Sequence, residues 1–214
     1  MARRPVFVPE SDKPYVSELS LDFEYFPGSS IQQKQRSVAS LHASYVDKFP
    51  SSRVLEVSSR SNRDIGVQLS AFNLMIECPG RGSYSVECAF QASKVFRHGG
   101  PFVDLLNASS RAAKTDRRLR KSGELVGFKY FADEFPLEPK TYFYDWLYTS
   151  ALCRDEKLVE QVMMFDAFTD IEYNPERSIN CQARSVAKVV GLARAGLLTD
   201  ALQSPQAFLE LGYH

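Results

Sequence analysis

Glu87, Phe90, Gln91 and Lys94 recur at i, i+3, i+4 and i+7, the spacing that lines side chains along one face of a helix. Ser85 stands where a cap belongs, so the pattern predicts a helix from Val86 through Lys94, stopped by Gly99-Gly100-Pro101. A helix stripe turned to a core is ordinarily apolar. This one carries a carboxylate, an amide and an amine, with an aromatic ring among them. A local break of this kind points to a functional site.

An ammonium on a buried face must find a partner or lose its proton. A neutral lysine is a nucleophile toward a carbonyl-like or anomeric carbon. Glu87, two turns away, is positioned to pair with it or to serve as a general acid or base. The blander alternatives stand beside these. A lysine at a helix end is ordinarily a solvated cation, and a glutamate in a first turn simply complements the helix dipole.

Weaker polar signals lie elsewhere. Asn73 interrupts an apolar stretch read as a strand, either as a satisfied amide or as a ligand contact. Asp145 adjoins Trp146, the only tryptophan, on an amphipathic helix where it caps, pairs or acts. Asn180, Gln182 and Arg184 crowd the start of a long helix, and such an N-terminus is an anion site. Arg111, Lys114, Arg117, Arg118, Arg120 and Lys121 form a basic run, read as a solvated face or as a phosphate-facing patch.

The elements that must position these residues are mostly helical. Residues 1–28, with four prolines, read as an irregular arm ending in a short extended piece. Ser30 and Gln33 make a capping box, and Val38, Leu41 and Tyr45 carry the helix to about Lys48. Val54 to Val57 is a short strand. Two strands around 67–78 and 83–86 flank the turn Pro79-Gly80-Arg81-Gly82. Helices follow over Asn107–Arg120, Thr141–Leu152, Leu158–Met164 and Ser178–Leu198, with a loop from Phe168 to Pro175. Ser204-Pro205 opens a last short helix. The expected fold is mainly α with a small β element, a single domain over 1–214 with the arm of 1–28 packed on it.

Composition excludes several classes. There are 26 basic and 26 acidic residues among 214, so bulk charge predicts no strong pull toward nucleic acid or membranes. No apolar run reaches membrane-helix length, and there is no signal-peptide pattern. The four cysteines form no C-x-x-C pair and histidine is scarce. Neither a zinc site nor a disulfide framework is expected, and a reduced, cytoplasmic setting fits. G-x-G-x-x-G and P-loop patterns are absent.

Leu69-Ser70-Ala71-Phe72, then a turn, then Val86-Glu87-x-x-Phe90-Gln91-x-x-Lys94 resembles the NADAR (YbiA-like) family. Its hallmark is a Ser-x-Phe segment, a hairpin and a V-E-x-x-F-Q-x-x-K helix. Phe143 to Tyr148, Phe165 to Pro175 and Ser178 to Arg184 are similar to the antitoxin branch, the DarG-type hydrolases paired with DarT-type DNA ADP-ribosyltransferase toxins. The family's Ser-Asn-Phe stands here as Ser70-Ala71-Phe72 followed by Asn73, so the family's asparagine contact is shifted or missing.

The resemblance implies an N-glycosidase that removes ADP-ribose from guanine in DNA through a lysine Schiff base, with no cofactor and no metal. It implies Lys94, Glu87 and Asp145 as catalytic residues. It implies Ser70, Phe72, Asn73, Phe90, Gln91, Arg111, Lys114, Trp146, Asp170, Asn180, Gln182 and Arg184 as substrate-binding ones, with Arg111, Lys114 and Arg184 toward the diphosphate. ADP-ribosylated DNA and a cognate DarT-type toxin are the implied partners. A riboflavin-pathway type of small-molecule N-glycosidase and a non-catalytic ADP-ribose-binding module are the alternatives.

Overall fold

The computed structural model describes residues 1–80 and 82–214; Arg81, in the turn expected after Cys78, lies outside them. The fold is mixed rather than mainly helical, 41% helix and 20% strand in three sheets. The expectation of a small β element is corrected chiefly at the N-terminus. The stretch read as an irregular arm holds β1 (Ala2–Pro9) and β2 (Val16–Phe23), an antiparallel pair in register from Ala2↔Phe23 to Pro9↔Val16.

Prolines 5 and 9 read as breakers because proline lacks the N–H that a ladder needs. β9 (Ala167–Thr169) meets β1 only at Phe7↔Phe168, so most of that edge of β1 requires no donor. Val6 and Phe7 are both buried but in different clusters, one on each face of the sheet, as strand alternation requires. Burial on both faces explains the unbroken Val6-Phe7-Val8 run.

The first sheet has the order β2-β1-β9-β3. β3 (Val54–Glu56) runs parallel to β9, with Glu56 opposite Thr169. α1 (Ile31–Val46) covers one face through Val38, Leu41 and Tyr45. Its cap Ser30 accepts the Gln33 N–H, and the two side chains are also bonded. On the other face lie the larger core and the elements of the site.

After β3, α2 (Asp64–Gln68) and a turn of residues 69–74 take up the start of the strand expected around 67–78, which is confined to β4 (Met75–Cys78), and β5 (Gly82–Ser85) stands close to the second. α3 (Val86–Ala92) follows at once, then β6 (Lys94–Phe96). A 3-10 turn (Val103–Asn107), α4 (Ser110–Thr115) and α5 (Arg118–Lys121) stand where one basic helix was expected. β7 (Leu125–Tyr130) and β8 (Asp133–Phe135) complete the third sheet with β6. α6 (Tyr142–Leu152), α7 (Glu156–Val162), α8 (Gln182–Arg194), α9 (Leu198–Ala201) and α10 (Pro205–Tyr213) supply the rest. Among the described residues no helix is long and apolar enough to cross a membrane. All four cysteines are free.

α6, α8 and α10 are joined at one carboxylate. Asp145 is 1% exposed and is ion-paired with Arg184. It also accepts Thr141 Oγ1 at 2.9 Å, Ser185 Oγ at 2.6 Å and Tyr213 OH at 2.6 Å. Burial works to raise its pKa, but Arg184 and Lys188 outweigh it and hold the carboxyl below the usual range. The network satisfies a charge that would otherwise be costly to bury.

Candidate active site

A cleft of about 1200 Å³ opens between α3, the loop of residues 69–74, α4, the start of α6 and the segment 170–182. That exceeds the usual range for a drug-sized ligand and suits an extended one.

α3 is fixed at its N-terminus by the 69–74 loop. Ser85 Oγ caps it by accepting the Cys88 N–H at 3.1 Å. The next orphan donors go to loop carbonyls, Val86 N–H to Leu74 O and Glu87 N–H to Ala71 O, each at 2.9 Å. Gln182 ties the same loop to the first sheet: its Oε1 accepts Ala71 N–H at 2.7 Å and its Nε2 donates to Val57 O at 2.6 Å. The 69–74 loop, α3 and α8 therefore hold one another in register.

The helix ends earlier than its spacing predicts. The Ala92 carbonyl accepts the Phe102 N–H at 2.8 Å, and the Ser93 carbonyl accepts the Lys129 N–H at 2.7 Å. With those acceptors taken by the chain beyond, the helix stops and Lys94 becomes the first residue of β6, opposite Phe128 of β7. Lys94 still lines the cleft with Glu87, Phe90 and Gln91. Its Nζ lies 4.7 Å from the Phe90 ring centre. Burial lowers the Lys94 pKa, Glu87 opposes the shift and Lys114 adds to it. Gln91 Nε2 donates to Glu87 Oε1 at 2.9 Å, which orients the carboxylate. Gln91 Oε1 is buried without a hydrogen-bond partner among the described residues, an acceptor that suits a ligand donor.

The cleft also gathers Ser70, Phe72, Arg111, Lys114, Asp170, Asn180 and Gln182 from the residues singled out in the sequence. Lys114 Nζ lies 5.1 Å from the Phe72 ring centre. Gln182 lines the cleft while serving as the loop clamp. Four other residues do not line it. Asn73 sits in a turn rather than a strand and donates to Val67 O at 2.8 Å. Asp145 and Arg184 are bonded to each other in the helix junction. Trp146 packs against Tyr130 and Phe135.

Sequence reading missed several residues of the cleft: Ser58, Arg60, Tyr144, Glu172, Tyr173 and Arg177. It also missed Glu56, buried behind Asp170. A glutamate inside an apolar Val-Leu-Glu-Val strand was the available signal. The others come from loops whose approach depends on tertiary packing. Among the described residues, no group of three or more His, Cys, Asp or Glu side chains is arranged to hold a metal ion.

The cleft thus combines a poorly solvated amine, a carboxylate on the same wall, cations at Arg60, Arg111, Lys114 and Arg177, and aromatic rings. Those parts suit nucleophilic attack on a sugar carbon of a ligand bearing phosphates. The family model described as "DarT1-associated NADAR antitoxin" matches residues 2–214. No curated protein matches the chain.

Proposed function

The chain belongs to the family of DarT1-associated NADAR antitoxins, and from that membership we propose that it removes ADP-ribose from guanine bases of DNA, reversing the modification made by a DarT-type toxin. The observation that carries the reading is the placement of Lys94 and Glu87 in the lining of one cleft, with the amine partly stripped of solvent and its proton affinity lowered.

In this reading the Lys94 nitrogen bonds to the anomeric carbon as the carbon–guanine bond breaks, its electron pair leaving with the base. Glu87 stabilises the positive charge that develops on the sugar. The lysine adduct opens to an imine, the ribose ring oxygen taking the proton that the lysine nitrogen loses. Water then adds to the same carbon, frees Lys94 and completes ADP-ribose. Arg111, Lys114 and Arg177 suit the diphosphate, and Gln91 Oε1 suits a ribose hydroxyl.

The test is incubation with an oligonucleotide carrying ADP-ribosylated guanine, read by mass spectrometry. The expected result is free ADP-ribose and restored guanine. Borohydride should trap an adduct at Lys94 that Lys94→Ala does not form. Full turnover by Lys94→Ala would remove the lysine from the mechanism. Tight binding without product would favour a non-catalytic module. Turnover of a free ribosylated pyrimidine in place of DNA would favour the small-molecule glycosidase.

A further inference from the structure

We propose that Asp170 is the acid that protonates the departing guanine, and that Glu56 behind it is a positioning carboxyl that keeps Asp170 protonated. The proposal rests on the glycosidase reading above and supplies the proton which that reading leaves unassigned.

Glu56 and Asp170 lie at the ends of the parallel pair β3 and β9. Glu56 is 1% exposed. Its Oε1 accepts Ser58 Oγ at 2.6 Å and Ile171 N–H at 2.9 Å, and its Oε2 accepts Thr169 Oγ1 at 2.6 Å. Asp170 is buried at the cleft wall. Its Oδ1 accepts Glu172 N–H at 3.0 Å, and its Oδ2 lies 4.0 Å from Cys181 Sγ. Among the described residues neither carboxyl makes an ion pair, and two cations of this corner, Lys34 and Arg60, are engaged by Glu172.

The titratable groups around Asp170 are Glu56 from β3, Glu172 and Tyr173 from its own loop, Cys181 at the cap of α8, and Tyr144 and Tyr148 from α6. None is a cation. Two buried carboxyls that feel each other's charge resist double ionisation. Burial raises Glu56 too, to about 7, but Glu56 accepts two hydroxyls and an N–H, whereas Asp170 has backbone N–H groups and the weak S–H donor of Cys181. Glu56 is the better holder of a charge and Asp170 of the proton. Burial foremost, then the Glu56 charge, pushes the Asp170 pKa up to about 8. Glu87, Tyr144 and Asp170 all line the same cleft. Lys94 approaches from α3 and β6, Asp170 from the end of β9, and nucleophile and acid therefore stand on separate elements.

The step balances without a further reactant. As the Lys94 nitrogen bonds to the anomeric carbon, the guanine nitrogen takes the bonding pair and receives the Asp170 proton. When water later attacks that carbon, its proton returns to the Asp170 carboxylate.

The experiment is single-turnover release of ADP-ribose from modified DNA between pH 6 and 10, on the wild type and on Asp170→Asn and Glu56→Gln. The wild-type rate should fall on the alkaline side. Asp170→Asn should slow release about 100-fold and abolish that fall. Glu56→Gln should keep the plateau rate and move the alkaline fall down by about one pH unit. An Asp170→Asn rate within about threefold of wild type, or an alkaline fall unmoved by Glu56→Gln, would overturn the proposal alone. An inert wild type would overturn the glycosidase reading and the proposal with it. If a variant fails to fold, carbon-13 NMR of the wild-type carboxyls decides: Asp170 still protonated at pH 7 supports the proposal, and Asp170 ionised there overturns it.

Discussion

Lys94 Nζ lies 4.7 Å from the centre of the Phe90 ring, and among the described residues no carboxylate forms an ion pair with it. A ring face attracts a cation without fixing its proton as an ion pair would. Burial and Lys114 lower the lysine's proton affinity, against the pull of Glu87. In an NMR titration of methyl-labelled lysines, Lys94 should titrate below the ordinary 10.5. Lys114→Met should raise that value and Glu87→Gln should lower it further. A Lys94 that titrates as a surface lysine does would contradict the buried amine.

Arg111 and Arg177 line the cleft and make no ion pair among the described residues. Each is free to meet a phosphate. Arg111→Gln and Arg177→Gln should each weaken binding of ADP-ribose about tenfold to a hundredfold, the cost of one charge-assisted hydrogen bond. Calorimetric titration measures it. The effect should appear in KM rather than in kcat, because a contact to the diphosphate is made equally in the ground and transition states.

Asp145 should matter to stability more than to chemistry. Asp145→Asn leaves Arg184 without its counter-charge and weakens the junction of α6, α8 and α10. Loss of one partner of a buried pair costs about 3–5 kcal/mol. Tyr213→Phe removes the hydroxyl's hydrogen bonds to Asp145 and Thr141 and should cost about 1–2 kcal/mol. Urea denaturation separates the two. At low temperature, where Asp145→Asn remains folded, borohydride trapping at Lys94 should persist; its loss would return Asp145 to the reacting centre.

Lys188 is fully buried and its Nζ has no hydrogen-bond partner among the described residues, resting 3.4 Å from the Tyr213 ring centre. Burial lowers its pKa to about 8, against Asp145, which raises it. A base with a lowered folded-state pKa contributes stability that is complete above its unfolded value and is lost as pH falls through the folded one. Below about pH 8 the fold therefore carries a disfavoured charge. Lys188→Met should raise the melting temperature at pH 6, by a margin on the order of 3 kcal/mol at most. That margin should shrink toward pH 10. A destabilised Lys188→Met at pH 6 would show that the ammonium is needed where it lies.

The helical parts of the fold were legible where caps and periodicity agree. Ser30, Ser85 and Ser204 all cap helices, and the Val38, Leu41 and Tyr45 stripe is buried. The strands were harder to see. Pro5 and Pro9 obscured β1, whose partners are decided by a hairpin and by β9, far along the chain. Asn73 read as a strand residue because the apolar run around it looks extended; its neighbours are apolar because the 69–74 loop is itself packed into the core. In the site, Glu87, Phe90, Gln91 and Lys94 were legible because polarity on a buried helix is a local anomaly. Arg60 and Tyr144 at the cleft, and Glu56 behind it, were not, since only the pairing of β3 with β9 and the packing of α6 bring them there.

The halt of α3 at Ala92 sets a condition on carrying the site to another scaffold. A designer who copied Glu87, Phe90, Gln91 and Lys94 onto one continuous helix would preserve the motif and misplace the amine. Ser93 keeps helical dihedrals as the cap, so the departure begins at Lys94 itself, where a helix would advance about 1.5 Å per residue and the strand advances about 3.3 Å. The transferable unit is α3 together with β6 and the two N–H groups, from Phe102 and Lys129, that end the helix.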